Sequence, residues 1–338
     1  MKSLSVKYRP NKFEDVCSQE SIVKILERQL ELKQFSNVYL FSGPSGCGKT
    51  TIARIFANEI NEGNGSPIEI DAASNSGVDN VRFLINSANE RSLDSEYKVY
   101  ILDEVHMLSN AAWNALLKTI EEPPKYTMFL FCTTDTQKIP DTVKNRCMRF
   151  NLTRIPYMNI YSRLMFICEE EGYTNYDVTC SFIARNSKGQ MRDAIATLEK
   201  CASYSNDLAI ENSLKVINQI SYDTMFSLIN NIIDGKEESI LQIVDKLYLD
   251  GYDMKMFIDQ FLEFCLDLSK FCIGNNIEYT HLPTNYEDKV RVAVDFDNNK
   301  NYYGYIVDKL FELKNNLKND LNPKITVDIY MLRMARCQ

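Results

Sequence analysis

Apolar positions in the first half of the chain alternate between two rhythms. The short runs Asn37–Phe41, Ile68–Ile70, Val99–Leu102 and Met128–Phe131 have the length of strands, and the first enters a turn at Ser42-Gly43. Among them lie helical repeats. Ile52, Ile55, Phe56 and Ile60 follow one, and Trp113, Leu116, Leu117 and Ile120 recur at i, i+3, i+4 and i+7. Ser109 stands where the second helix needs a cap. Pro123-Pro124 ends that helix, because proline lacks the N–H and restricts the residue before it. Strands alternating with helices predict a mostly parallel sheet covered on both faces.

After about Pro156 the strand signal disappears. Residues 160–217 predict three or four short helices with a break at Ser187-Lys188-Gly189. Further helices follow at Met225–Ile233, Ser239–Leu249, Met254–Ile273, Tyr303–Leu317 and Pro323–Met334, with loops at Gly274–Asn285 and Asp295–Asn301. No internal repeat is visible. The expected division is an α/β domain over 1–156, a small helical domain over 157–219 and an all-α domain over 220–338.

Composition narrows the class. The chain has 338 residues, 45% hydrophobic and 25% charged, which suits a globular protein of two or three domains. No run of about 18 apolar residues predicts a membrane span. The N-terminus has no apolar signal core, so an intracellular, cytoplasmic protein is expected. The 38 basic and 46 acidic residues give a net charge of −8. That opposes a large non-specific affinity for nucleic acid, so any DNA contact must be local or shared among subunits. The 10 cysteines form no C-x-x-C pair and read as buried free thiols. His106 and His281 lack a ligand pattern, so no metal is expected beyond a nucleotide-borne magnesium.

The chemistry concentrates at residues 43–50, GPSGCGKT, which fit G-x-x-x-x-G-K-[ST] with a strand before and a helix after. Gly43, Gly46 and Gly48 let backbone N–H groups curl round a phosphate. Lys49 supplies a cation for the β/γ-phosphates and Thr50 a hydroxyl for magnesium, with Cys47 and Thr51 beside them at the helix start. Asp103 ends an apolar strand, where open α/β sheets place ligand groups, and can hold the magnesium hydration shell. Glu104 can polarise the attacking water. Thr133 and Thr134 end the next strand, and a hydroxyl there could bond the γ-phosphate or its water. His106 reads as a local hydrogen-bonding residue. By itself CTTD fits an ordinary turn equally well, and Arg146 a surface salt bridge.

These motifs, in this order, resemble the AAA+ ATPase subunits of sliding-clamp loaders. The likeness is closest to the gamma/tau subunit of the bacterial DNA polymerase III clamp loader, and more distant to replication factor C. It is carried by KYRPNKFEDVCSQESIVKIL, IEIDAAS, KVYILDEVHMLS, NALLKTIEEPP, CTTDTQKIP, NRCMRFNL and GQMRDA, over most of residues 5–200, and by the collar-like NDLNPKITVDIYMLRM. The resemblance implies an α/β P-loop AAA+ domain, a helical lid and a helical collar. It implies ATP and Mg²⁺ as ligands, and other loader subunits in a pentameric ring, a sliding clamp and primer–template DNA as partners. Tyr8, Arg9, Pro10 and Val16 would form the adenine pocket wall. Thr134 would be a first phosphate sensor, Arg192 a second from the lid, and Arg146 an arginine finger entering the neighbouring subunit's site.

The sequence departs from the family in three ways. Relatives usually carry a four-cysteine zinc module after the P-loop helix, whereas Ala57–Ile68 is a short cysteine-free connection, so no zinc is expected; phage or otherwise reduced versions share this trait. The sequence also ends at the collar-like segment, so no tau extension is expected. Asn75 and Gly77 stand where relatives often have basic DNA-contacting residues, leaving backbone N–H groups, Asn75, Ser76 or Arg82 as DNA contacts. Residues 85–97 are a candidate clamp-facing loop. Competing readings are a loader subunit that holds ATP without hydrolysing it, a helicase loader or branch-migration motor, and a small-molecule P-loop kinase. The complete set Lys49, Thr50, Asp103, Glu104, Arg146 and Arg192 argues against the first, the collar-like end against the second, and NRC with GQMRDA against the third.

Overall fold

Five strands, β1 (Val38–Ser42), β2 (Ile68–Asp71), β3 (Lys98–Asp103), β4 (Thr127–Thr133) and β5 (Met148–Asn151), form one parallel sheet in the order β2-β3-β4-β1-β5. A computed structural model describes residues 3–217, 219–277, 280, 282, 286–295 and 302–336. Side chains alternate across the strands, which explains two separate cores. Tyr39, Phe41, Ile101, Leu130 and Cys132 face one side, packed with Ile52 and Phe56 of the helix Lys49–Ile60. Leu40, Tyr100, Leu102, Phe129 and Phe131 face the other, against Leu84 of the helix Val78–Ala88 and Trp113 and Leu116 of the helix Asn110–Glu121. Both faces being covered, the central strands read as continuous apolar runs.

The helix Asn110–Glu121 is capped by Ser109, whose side chain accepts from the N–H of Ala112, and ends just before the two prolines, as expected. β5 was not among the predicted strands. Only Phe150 of its four residues is buried, so an edge strand with one apolar contact leaves no run to detect. The segment expected to be a loop at 85–97 begins inside the helix Val78–Ala88.

The chain divides into two compact units. The first comprises Met1–Glu171 with Ile183–Glu199, and the second Gly172–Phe182 with Lys200–Gln338. The helices Tyr157–Glu171, Asp177–Asn186, Met191–Tyr204 and Ile210–Ile217 follow the sheet. Five expected helices of the second unit are present with ends within three residues, from Tyr222–Ile233 to Pro323–Arg336. They bury Phe257, Phe261, Leu268, Leu310, Leu313 and Met331 in one core, each contributing about 1.5–3 kcal/mol. The helix Glu287–Asp295 was not predicted, because its sequence EDKVRVAVD is dominated by charge. Gly274 completes the preceding helix rather than opening a loop. His281, Cys337, most of the other expected loop and part of the first lie outside the described residues. No described helix is long and apolar enough to cross a membrane. Among the described residues the cysteines form no disulfide.

Candidate nucleotide-binding site

The loop after β1 is held by the sheet's C-terminal edge. The N–H of Gly43 donates to Thr133 O at 3.2 Å, and Leu152 N donates to Ser42 O at 2.7 Å. Gly43 has φ +149, and a Cβ there would lie 2.5 Å from Leu152 O, so only glycine lets the chain pass. Gly46 has φ +68, and a Cβ would meet Gln190 Cβ at 3.0 Å; the N–H of Met191 donates to Gly46 O at 3.1 Å. The GQMRDA segment therefore packs directly on the glycine loop.

Gly48 caps the helix Lys49–Ile60 in the left-handed region, leaving that helix's first N–H groups directed into the loop. Lys49 is only 6% exposed. Its ammonium donates to Gly43 O at 3.0 Å and Pro44 O at 2.8 Å, and among the described residues no carboxylate pairs with it. A buried cation held by neutral carbonyls inside a glycine cradle fits an anionic ligand such as a phosphate. Beneath the loop, burial raises the Cys47 thiol above its ordinary range against the pull of Lys49, and holds Cys132 of β4 well above it. Both are packing residues rather than reactive thiolates.

Parallel pairing sets Asp103, at the end of β3, next to β4 and within reach of the loop. Thr50 Oγ1 donates to Asp103 Oδ2 at 2.7 Å, and Glu104 N donates to Asp103 Oδ1 at 3.0 Å. A hydroxyl and a carboxylate so paired are the donor set that a hydrated magnesium on a nucleotide would take. Glu104 adopts the left-handed conformation, φ 50 and ψ 43, which costs a non-glycine residue about 1–3 kcal/mol and aims its side chain away from the strand. Its carboxylate accepts from Thr134 Oγ1 at 3.1 Å and lies 3.2 Å from His106 Nδ1, which is also 3.2 Å from Thr133 Oγ1. His106 thus orients its neighbours, as the sequence suggested.

One cleft gathers Tyr8, Arg9, Pro10 and Val16 at one end and Gly46, Cys47, Gly48, Lys49, Thr50, Thr51, Asp103, Glu104 and Arg192 along the rest. Thr134 touches it through Glu104. Cys17 and Met191, from within two of the quoted motifs, also line it, as do Ser5 and Arg163, which no motif singles out. Arg146 lies elsewhere: its Nη2 pairs with Glu121 Oε1 at 2.6 Å and its Nη1 donates to Thr142 O at 2.6 Å. Asn75, Ser76 and Arg82 lie after β2. Asn75 Nδ2 donates to Asp71 O at 3.0 Å, Ser76 O accepts from Ser109 N at 3.2 Å, and Arg82 is 3.4 Å from Asp79.

Known proteins match this chain in sequence and in fold. Residues 67–156 match the family model of the DNA polymerase III delta subunit, and residues 217–337 that of DNA polymerase III subunits gamma and tau, domain III. DNA polymerase III subunit tau of Bacillus subtilis (strain 168) is 38% identical over 293 residues, 80% of this chain and 52% of that protein. Subunit tau of Escherichia coli (strain K12) is 31% identical over 301 residues, 81% of this chain and 47% of that one. The chain thus spans about half the length of these relatives. Subunit gamma of Buchnera aphidicola subsp. Acyrthosiphon pisum is 31% identical over 288 residues, 79% of this chain and 80% of that protein. Among solved structures, the Thermotoga maritima RuvB Holliday junction branch migration motor superposes with a TM-score of 0.53 at 20% identity, over 67% of this chain and 79% of that one. That likeness is one of fold, in the sheet and its helices. With its glycine loop, parallel sheet and helical C-terminal region, the chain belongs to the DNA polymerase III gamma/tau subunit family.

Proposed function

We propose that this chain is an ATPase subunit of a DNA sliding-clamp loader, using ATP binding and hydrolysis to open the clamp and load it on primer–template DNA. The observation that carries this reading is the single cleft joining Lys49, Thr50, Asp103, Glu104 and Arg192, in a chain of the gamma/tau family. Magnesium-bound ATP would supply the phosphoanhydride bond to be cleaved and the cation that offsets its charge. Lys49 exchanges two loop carbonyls for β/γ-phosphate oxygens. Thr50 and Asp103, bonded to each other, would hold the magnesium and its waters, which would offset the charge of the phosphates. Glu104 takes the proton of the attacking water, and Thr134, bonded to that carboxylate, senses the γ-phosphate. Tyr8, Arg9, Pro10 and Val16 wall the base, while Arg192 brings the lid, residues 157–219, under control of the phosphates.

Arg146 leaves Glu121 and enters the site of a neighbouring subunit. Such a cation supplied in trans contributes on the order of 10³–10⁵ in rate, which makes turnover depend on assembly. Residues 220–338 form the collar that holds several subunits together in a pentameric ring, whose spiral arrangement holds the clamp open. DNA contacts fall to Asn75, Ser76 and Arg82 and stay local, consistent with a net charge of −8. Loss of the γ-phosphate contacts removes the differential stabilisation of the clamp-open arrangement.

Steady-state ATPase measured with clamp and primed DNA tests this. Arg146→Ala is expected to keep ATP affinity within about two-fold and to lose on the order of 10³ in stimulated turnover. Full stimulated turnover in R146A refutes the trans role. Absence of turnover in the wild type, with ATP still bound, favours the scaffold reading.

A further inference from the structure

The base end of the cleft is built from a segment with little structure of its own. Tyr8 follows the four-residue helix Leu4–Lys7, and the next regular element is the single turn Phe13–Asp15. Such a segment becomes a defined wall only if something else holds it.

One helix does so. From Tyr157–Glu171, Arg163 Nη2 donates to Tyr8 O at 2.8 Å. Three residues on, the Phe166 ring meets the Tyr8 ring edge to face, with centroids 6.2 Å apart at 90°. At the helix end, Glu171 Oε1 accepts from Tyr8 Oη at 2.6 Å and from Lys7 Nζ at 2.6 Å. Arg163 is itself fixed, its guanidinium lying 5.3 Å from the Phe166 centroid. The carbonyl it grips stands at the C-terminal end of a short helix, where oxygens lack intrahelical donors and a cation is favourable. Arg163 also lines the cleft.

We propose that Arg163 is a positioning residue of the base-binding wall, acting through the Tyr8 carbonyl, so that it determines affinity for the nucleoside part of the ligand and not for its phosphates. This rests on the reading of the cleft as an ATP site. Losing a charge-assisted bond that pre-organises the wall should weaken base-dependent binding about ten-fold.

The test compares the full chain with Arg163→Ala, Arg163→Lys and Tyr8→Phe. Each is titrated with Mg-ATP, Mg-ADP and inorganic tripolyphosphate, which has the phosphates without the base. R163A is expected to bind ATP and ADP about ten-fold more weakly and tripolyphosphate within about two-fold of wild type. R163K, which keeps one donor for the carbonyl, should recover part of the loss, and Y8F, which loses only the Glu171 bond, should fall between. Equal weakening of all three ligands, or unchanged ATP and ADP binding, overturns the proposal while leaving the ATP site standing. A wild-type chain that binds tripolyphosphate as tightly as ATP overturns it as well, and failure to bind any of the three overturns the ATP reading with it.

Discussion

Lys49→Met separates what the ammonium does for the protein from what it does for a ligand. It is buried, and among the described residues it bonds to the carbonyls of Gly43 and Pro44, at 3.0 and 2.8 Å. Withdrawing an ammonium from water costs several kcal/mol, and two charge-assisted bonds return about 1.5–3 kcal/mol each. The two contributions nearly cancel. Methionine fills the volume of the stem without the charge, so K49M should lie within about 1 kcal/mol of wild type in the absence of nucleotide. With Mg-ATP the two proteins diverge. At 100 times its Kd, a ligand that binds only the folded state adds about 2.7 kcal/mol. At about 2–4 °C per kcal/mol, the wild-type melting transition of the nucleotide-binding unit should rise by about 5–10 °C. K49M should rise by less than about 1 °C at the same concentration, because the cation facing the phosphates is gone. Thermal melts followed by near-UV circular dichroism, with and without Mg-ATP, read both quantities. A K49M transition that rises with wild type refutes the assignment of Lys49 to the phosphates. A loss above about 3 kcal/mol without nucleotide refutes the balance drawn for the buried ammonium.

Glu104→Gln should keep Mg-ATP affinity and lose about 10²–10⁴ in phosphate release under single-turnover conditions, as expected for a general base. Gly43→Ala should destabilise the chain by about 1–3 kcal/mol in urea titrations, since the new Cβ falls 2.5 Å from Leu152 O. Lys7, and then Tyr8, hold the Glu171 carboxyl below the usual carboxylate range. A folded value below the unfolded one means the contact stabilises fully above the ordinary carboxylate pKa and weakens as pH falls through the folded value. The stability gap between wild type and Glu171→Gln should therefore be constant near neutrality and shrink in acid; a gap that widens in acid counts against it.

The sheet and its glycine loop were legible because the central strands are buried on both faces and the loop needs specific residues at specific spacing. Gly43, Lys49 and Asp103 were each placed by motif spacing alone, and the turn at Gly43 admits no side chain. β5 and the helix Glu287–Asp295 were missed for the opposite reason: β5 buries a single residue, and charges interrupt the apolar spacing of the helix. Arg163 was invisible for a third reason. It is one arginine on an amphipathic helix, and only the fold brings it to the carbonyl of a residue 155 positions away. The ion pair of Arg146 with Glu121 likewise depends on proximity that no local pattern records.

The margins of the sheet have a consequence for how copies of this chain can associate. Its aromatic centre is flanked by β2 and β5, each four residues long and each interrupted by charge, at Glu69 and Asp71 on one side and Arg149 on the other. So few open N–H and C=O groups, beside ionised side chains, make a poor template for a foreign strand. Open-ended association through backbone pairing, in which one molecule's edge recruits the next, is thereby disfavoured.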